Sequence, residues 1–158
     1  MAHLSPRRQG DLGELSALQW LLSKGYDVFF PFGHSPDVDL IADDGDKLLR
    51  VQVKTCSSYR NRRWAVMVCT RGGNQSWSGL VKRFSAERCD WLFVLVGDGR
   101  RWFIPAAAVK GGTRVHLGGP KYAEFEVDPG VRCRLQTTAD RYARGARRGS
   151  RAVKGIRL

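Results

Sequence analysis

The sequence contains no apolar run approaching the roughly 20 residues that a membrane-spanning helix requires, so a chain that crosses a bilayer by helices is not expected. The opening residues, MAHLSPRRQG, lack the apolar stretch of a secretory signal, and a cytoplasmic location is expected. Cysteine is sparse and scattered: Cys56, Cys69, Cys89 and Cys133 form no CxxC pair and have no histidines at ligand spacing. That gives a structural zinc site little support. Reduced, mostly buried thiols are expected instead of a disulfide framework. Acidic residues are also in deficit, 15 against 27 lysines and arginines, giving a net charge of +12 and a pI of about 10.2. From residue 141 onward there is no acid at all. Arg141, Arg144, Arg147, Arg148, Arg151, Lys154 and Arg157 contribute +7 of the +12, leaving +5 for the first 140 residues. A polyanionic partner is implied, and nucleic acid fits better than a membrane because the tail has little apolar content.

With 158 residues, one domain with a proper core is expected over residues 1–136, followed by a basic, disordered tail over 137–158. A helix is predicted from about Gln9 to Lys24, with Leu12, Leu15, Leu18 and Leu22 as one apolar stripe. Gly25 is placed to end it and Tyr26 to turn inward. Short strands follow at residues 27–31 and 38–42. The turn Asp43-Asp44-Gly45-Asp46 has hairpin chemistry, and a strand at 48–55 comes after it. Further strands are predicted at 64–69, 91–96, 101–104, 115–117 and 125–127. The segment 91–104 forms a hairpin about Gly97-Asp98-Gly99, and a short proline-led helix is expected at 105–109. Residues 80–88 read as helical, and 71–79 as a mobile loop. This order describes a small α/β domain with a mixed β-sheet flanked by helices.

Three chemical features converge. Glu14, at ~100° per residue, falls about 20° from Leu21 and so lies on the margin of the apolar stripe. Asp39 lies within an apolar strand, where a charge is costly unless it is paired or coordinates a cation. Gln52 and Lys54 share one face of the next strand by the period-2 rule, with Arg50, while Leu49, Val51 and Val53 face the other way. That polar face reads as solvated. Joined by the Asp-Gly hairpin, the two strands are expected to be neighbours, with Asp39 beside Gln52 and Lys54. Oxygen donors of this kind suit Mg²⁺. Asp39 would be the principal ligand, Glu14 a second and Gln52 an amide donor. Lys54 would orient water and stabilise charge developing at a phosphodiester. Taken singly each residue has an ordinary structural explanation; order and spacing together carry the argument.

Glu14, then Pro36-Asp37-Val38-Asp39-Leu40-Ile41, then Val51-Gln52-Val53-Lys54-Thr55, resembles the PD-(D/E)xK nuclease superfamily. It most resembles the subgroup of bacterial group I intron homing endonucleases, in which glutamine replaces the usual acid of the last motif. Cys89-Asp90-Trp91-Leu92-Phe93-Val94 and Trp102-Phe103-Ile104-Pro105 are similar to that subgroup's later hairpin, so the resemblance covers roughly residues 8–110. It implies a restriction-endonuclease-like core and a metal-dependent endonuclease, using Mg²⁺ or Mn²⁺ as a substitute. The catalytic set is Glu14, Asp39, Gln52 and Lys54. Asp37 shares Asp39's strand parity and is the reserve ligand; Asp39 is preferred because Leu40-Ile41-Ala42 continues it into the core as the family pattern does. Gln52 removes a negative charge, which implies weaker occupancy by a second metal ion.

Double-stranded DNA is the expected partner, and one active site per domain implies a homo-oligomer for cutting both strands. Arg60, Arg62, Arg63, Arg71, Lys82 and Arg83 are candidate DNA contacts. Trp77 either stacks on a base or anchors its loop, while His34, His116 and His3 carry no partner signal. Two other readings keep the fold: a structure-specific nuclease for junctions or repair, and a non-catalytic nucleic-acid-binding module.

Overall fold

In the computed structural model the described residues are 5–33, 37–71, 81–110 and 112–127. The chain enters its helix through Ser5, whose hydroxyl accepts the Arg8 amide at 3.4 Å, with Pro6 at the first helical position. A hydroxyl acceptor and a residue without an N–H both suit a helix start, where the first amides have no helical partner. The helix, α1, spans Pro6–Ser23 and stops at Gly25, which takes φ +87°. The Gly25 and Tyr26 amides donate back to the carbonyls of Leu22 and Leu21 at 3.1 and 3.2 Å, the two bonds of a Schellman cap.

The buried face of α1 differs from the expected leucine stripe. Gly13, Ala17, Trp20 and Leu21 face inward, while Leu15 and Leu22 are 60% and 53% exposed. The cause is close approach: a Cβ at Gly13 would run into the Thr55 side chain and press on Val53. Small residues occupy the tightest part of the contact because nothing larger fits there.

Eleven strands follow among the described residues: β1 Asp27–Phe29, β2 Leu40–Asp43, β3 Leu48–Cys56, β4 Tyr59–Arg60, β5 Arg63–Met67, β6 Thr70–Arg71, β7 Val81–Lys82, β8 Trp91–Val96, β9 Arg101–Pro105, β10 Arg114–Leu117 and β11 Glu126–Val127. Six make the main sheet, in the order β1-β2-β3-β8-β9-β11. Its β3–β8 pair is parallel and the others are antiparallel, so the sheet is mixed as expected. β10-β5-β4 form a second, three-stranded sheet, and β6 and β7 pair separately.

The main sheet is buried on both faces over its centre. On one side Val51, Val53, Phe93, Leu95 and Phe103 pack under Ala17, Trp20 and Leu21 of α1. On the other, Leu92, Val94, Val96, Trp102 and Ile104 pack against Trp64, Val66, Val115 and Leu117 of the second sheet. The covering is therefore α1 on one face and a small sheet, with 3₁₀ turns at Ala106–Ala108 and Pro120–Phe125, on the other. The helix expected over 80–88 is not formed in its described part. Val81–Lys82 is a strand, and Ser85 then holds a single turn, its hydroxyl accepting the Glu87 amide at 3.2 Å and its carbonyl the Arg88 amide at 3.2 Å. Cys56, Cys69 and Cys89 are free and buried. No described helix is long and apolar enough to cross a membrane. The expected loop at 72–79 with Trp77, and also His3, His34, Cys133 and the tail 137–158, lie outside the described residues.

Candidate active site

The β2–β3 hairpin is closed by its own acids. Asp44 accepts the Asp46 and Lys47 amides at 3.0 and 2.9 Å, bonds that hold its carboxyl below the usual range, and Gly45 takes φ +93°. This turn fixes the register Leu40↔Val51, and Asp39 stands just before the ladder begins. The Asp39 amide donates to the Val51 carbonyl at 2.9 Å. Its carboxylate Oδ2 accepts the Val53 amide at 2.7 Å. β2 begins at Leu40 while β3 runs on to Cys56. Asp39 thus takes up a backbone donor of β3 where the neighbouring strand gives out, which anchors the side chain firmly.

Gln52 and Lys54 lie on one face of β3, across from Leu92 and Val94 of β8. The ordinary reading of such an alternation as a wet face does not hold at Gln52, which is only 4% exposed, because the second sheet roofs this side. A buried amide is held in place by its hydrogen bonds. Lys54, nearer the end of the strand, is half-buried.

Glu14 is half-buried on α1, next to the inward residues Gly13 and Ala17. Its carboxyl is pushed above the ordinary range, first by burial, then by the charges of Asp39 and Asp11. Glu14 therefore lies within electrostatic range of Asp39. Gly13 makes that possible by letting the helix settle onto Val53 and Thr55.

Asp37 belongs to a different arrangement. Its Oδ2 lies 3.6 Å from Nε of Arg88, so this carboxylate is partnered by a cation, whereas the Asp39 carboxylate accepts the Val53 amide. Nearby, Asp90 accepts the Arg50 amide at 2.7 Å and the guanidinium at 3.0 and 3.1 Å. These contacts hold the Asp90 carboxyl below the usual range.

Of the basic side chains, Arg60, Arg62 and Arg83 are exposed and Arg63 is half-buried. The side chains of Arg71 and Lys82 lie outside the described ones, and His116 is an exposed residue of β10. Local sequence reasoning did not single out Gly13, Arg88 or the Arg50–Asp90 pair. Gly13 alone had a visible signal, a glycine inside an otherwise helical pattern. The other partners are brought together by tertiary structure.

The expected donors are two carboxylates and an amide, all oxygen; Glu14 rides on α1, which covers the Val51 and Val53 face, while Gln52 and Lys54 project from β3 on the side of Leu92 and Val94. Among the described residues no three His, Cys, Asp or Glu side chains gather into a metal-binding group. Two close carboxylates, one destabilised in its charged form by the other, are chemically suited to a hard divalent cation.

The PD-(D/E)XK endonuclease profile matches residues 4–118. The chain belongs to that family and is a nuclease. Among solved structures it is similar to a bacterial homing endonuclease, I-Ssp6803I, with 19% identity and a TM-score of 0.59 over 92% of this chain and 94% of that one. The expected restriction-endonuclease-like fold is thereby present. A comparison with curated proteins finds no match.

Proposed function

We propose that the protein is a Mg²⁺-dependent endonuclease hydrolysing phosphodiester bonds of double-stranded DNA, with Glu14, Asp39, Gln52 and Lys54 as its catalytic set. The observation that carries this reading is Asp39, whose carboxylate is anchored on the Val53 amide where the β2–β3 ladder opens, within electrostatic range of Glu14, a carboxyl pushed up first by burial and then by Asp39. A bound Mg²⁺, or Mn²⁺ in its place, supplies Lewis-acid activation of the phosphate and of a water. Asp39 would be its principal ligand, Glu14 a second, and Gln52 a neutral donor. Asp39 holds its carboxylate still through β3's backbone, so little reorganisation is needed when the cation binds. Lys54, beyond Gln52 on the same face, orients the attacking water and neutralises charge on the phosphate oxygens. The buried setting of Gln52 excludes bulk water from one side of the site.

The structural neighbour's description as a homing endonuclease favours a homing-type role on linear duplex DNA. Cutting both strands calls for two such sites, hence a homo-oligomer acting in the cytoplasm. The nuclease domain is taken as residues 1–136 and the tail, 137–158, as a salt-sensitive DNA clamp. The test is a panel of linear, nicked and branched duplexes incubated with Mg²⁺. Cutting of linear duplex at defined positions is expected, whereas cutting confined to branched DNA rejects the homing-type role.

A further inference from the structure

Between Asp46 and Glu87 the chain contains no acidic residue and nine basic ones. Within that stretch β4 and β5 form a tight hairpin, Arg60 opposite Arg63, closed by Asn61 and Arg62. Both turn residues have positive φ, 49° and 60°, as a type I′ turn requires. Asn suits its position, but the second is where glycine is at ease and an arginine is strained. Strain of this kind persists where a side chain is needed for something other than stability.

The arginines of the hairpin divide into two kinds. The Arg63 guanidinium lies against Gly119, in the space that a Cβ there would occupy, and Arg63 is half-buried. Arg60 and Arg62 are exposed, and among the described residues neither makes an ion pair. Three other arginines are compensated by acids: Arg50 by Asp90, Arg88 by Asp37, and Arg100 by Asp98 and Glu126. At the base of the hairpin the Tyr59 and Trp64 rings pack at 4.7 Å, which stiffens the support. The tip is also close to the site by chain length. Six residues separate Lys54 from Arg60, a reach of at most about 20 Å, or about six phosphates at 3.4 Å per step along one strand.

We propose that the β4–β5 tip is a built-in DNA clamp, in which Arg60 and Arg62 hold the sugar-phosphate backbone of duplex DNA flanking the bond at the Asp39 site, while Arg63 buttresses the tip from behind. This deepens the nuclease reading and rests on it for the choice of duplex DNA as partner.

The test uses the full-length protein and a random-sequence duplex of about 30 base pairs, without divalent metal so that no cutting occurs, across a salt series. Arg62→Gly suits the left-handed backbone, so its melting temperature is expected to equal or exceed the wild type's. Its affinity should fall about 3–10-fold, and the slope of log K against log salt should drop by roughly 0.9 for the lost phosphate contact. Arg60→Gln should do the same, and the double variant should lose about twice as much slope. Arg63→Gln should lower the melting temperature and leave the slope unchanged. If folded Arg60→Gln and Arg62→Gly keep the wild-type affinity and slope, the clamp is overturned. A parallel incubation with Mg²⁺ separates the two ideas. A wild type that binds through these arginines yet never cuts contradicts the nuclease reading alone, and one that cuts with slopes unchanged in the variants contradicts the clamp alone.

Discussion

β3 carries two charged clusters within a few residues of each other, and they are built on opposite principles. At Arg50 the acid and the base satisfy each other: Asp90 takes both the guanidinium and the Arg50 amide, and its carboxyl is stabilised in the charged form. Past Val51, where β2 no longer runs alongside, two acids are brought together, and Glu14 is destabilised in its charged form by burial and by Asp39. The first arrangement fastens β3 to the segment leading into β8. The second leaves Glu14 harder to ionise, and on the proposed reading a bound cation would relieve that cost.

Substitutions separate the two clusters. The largest effect is expected from Asp39→Asn and Lys54→Ala. Each should reduce Mg²⁺-dependent cleavage by roughly 10²–10³-fold or more, with DNA affinity, measured without metal, held within a few-fold. Gly13→Val comes next. A residue with a Cβ gains helix propensity of at most about 1 kcal/mol over glycine, but here it meets Thr55 and Val53, and overpacking costs about 1–3 kcal/mol. The variant should melt several degrees lower and cleave more slowly per folded molecule, because α1 can no longer seat Glu14.

Asp90→Asn is the counterpart on the fastening side. The ion pair itself is 42% exposed at Arg50 and 34% at Asp90 and contributes little, but the weakened bond to the Arg50 amide should cost about 1 kcal/mol. Thermal melting should show that loss, with cleavage per folded molecule unchanged.

The smallest effects come from titrating Glu14. Its folded pKa is raised, so in the metal-free protein its ionisation costs stability. The favourable contribution is complete below the unfolded value near 4.5 and is lost as pH rises through the raised value. Glu14→Gln should therefore melt slightly higher than wild type at neutral pH without metal, by about 1–3 °C, and the gap should close on acidification. In the active enzyme, cleavage should fall towards acid pH as Glu14 takes up a proton. Because cation and proton compete for the same carboxylate, more Mg²⁺ should move that limb to lower pH.

Much of the candidate site was legible because its determinants are local. The Asp-Gly turn sets the β2–β3 register, the period-2 rule puts Gln52 and Lys54 on one face of β3, and Glu14's angle from Leu21 matches its half-buried position. What was not legible depends on tertiary contacts. Leu15 and Leu22 look like a core stripe, yet the sheet accepts only the narrow Gly13–Ala17 line. Gln52 reads as solvated until residues 63–67 pair with 114–117 to form the covering sheet. The 80–88 segment has no comparable reason to stay helical, because its start pairs with β6 and Ser85 turns the rest.

The most direct test of this account is single-turnover cleavage of duplex DNA at saturating enzyme and Mg²⁺, with wild type, Asp39→Asn and Asp90→Asn side by side at a temperature where all three are folded. The account predicts that Asp90→Asn cuts at the wild-type rate while Asp39→Asn is slower by at least about 10²-fold. Equal rates for Asp39→Asn and wild type would contradict it, because Asp39 would then play no part in the chemistry.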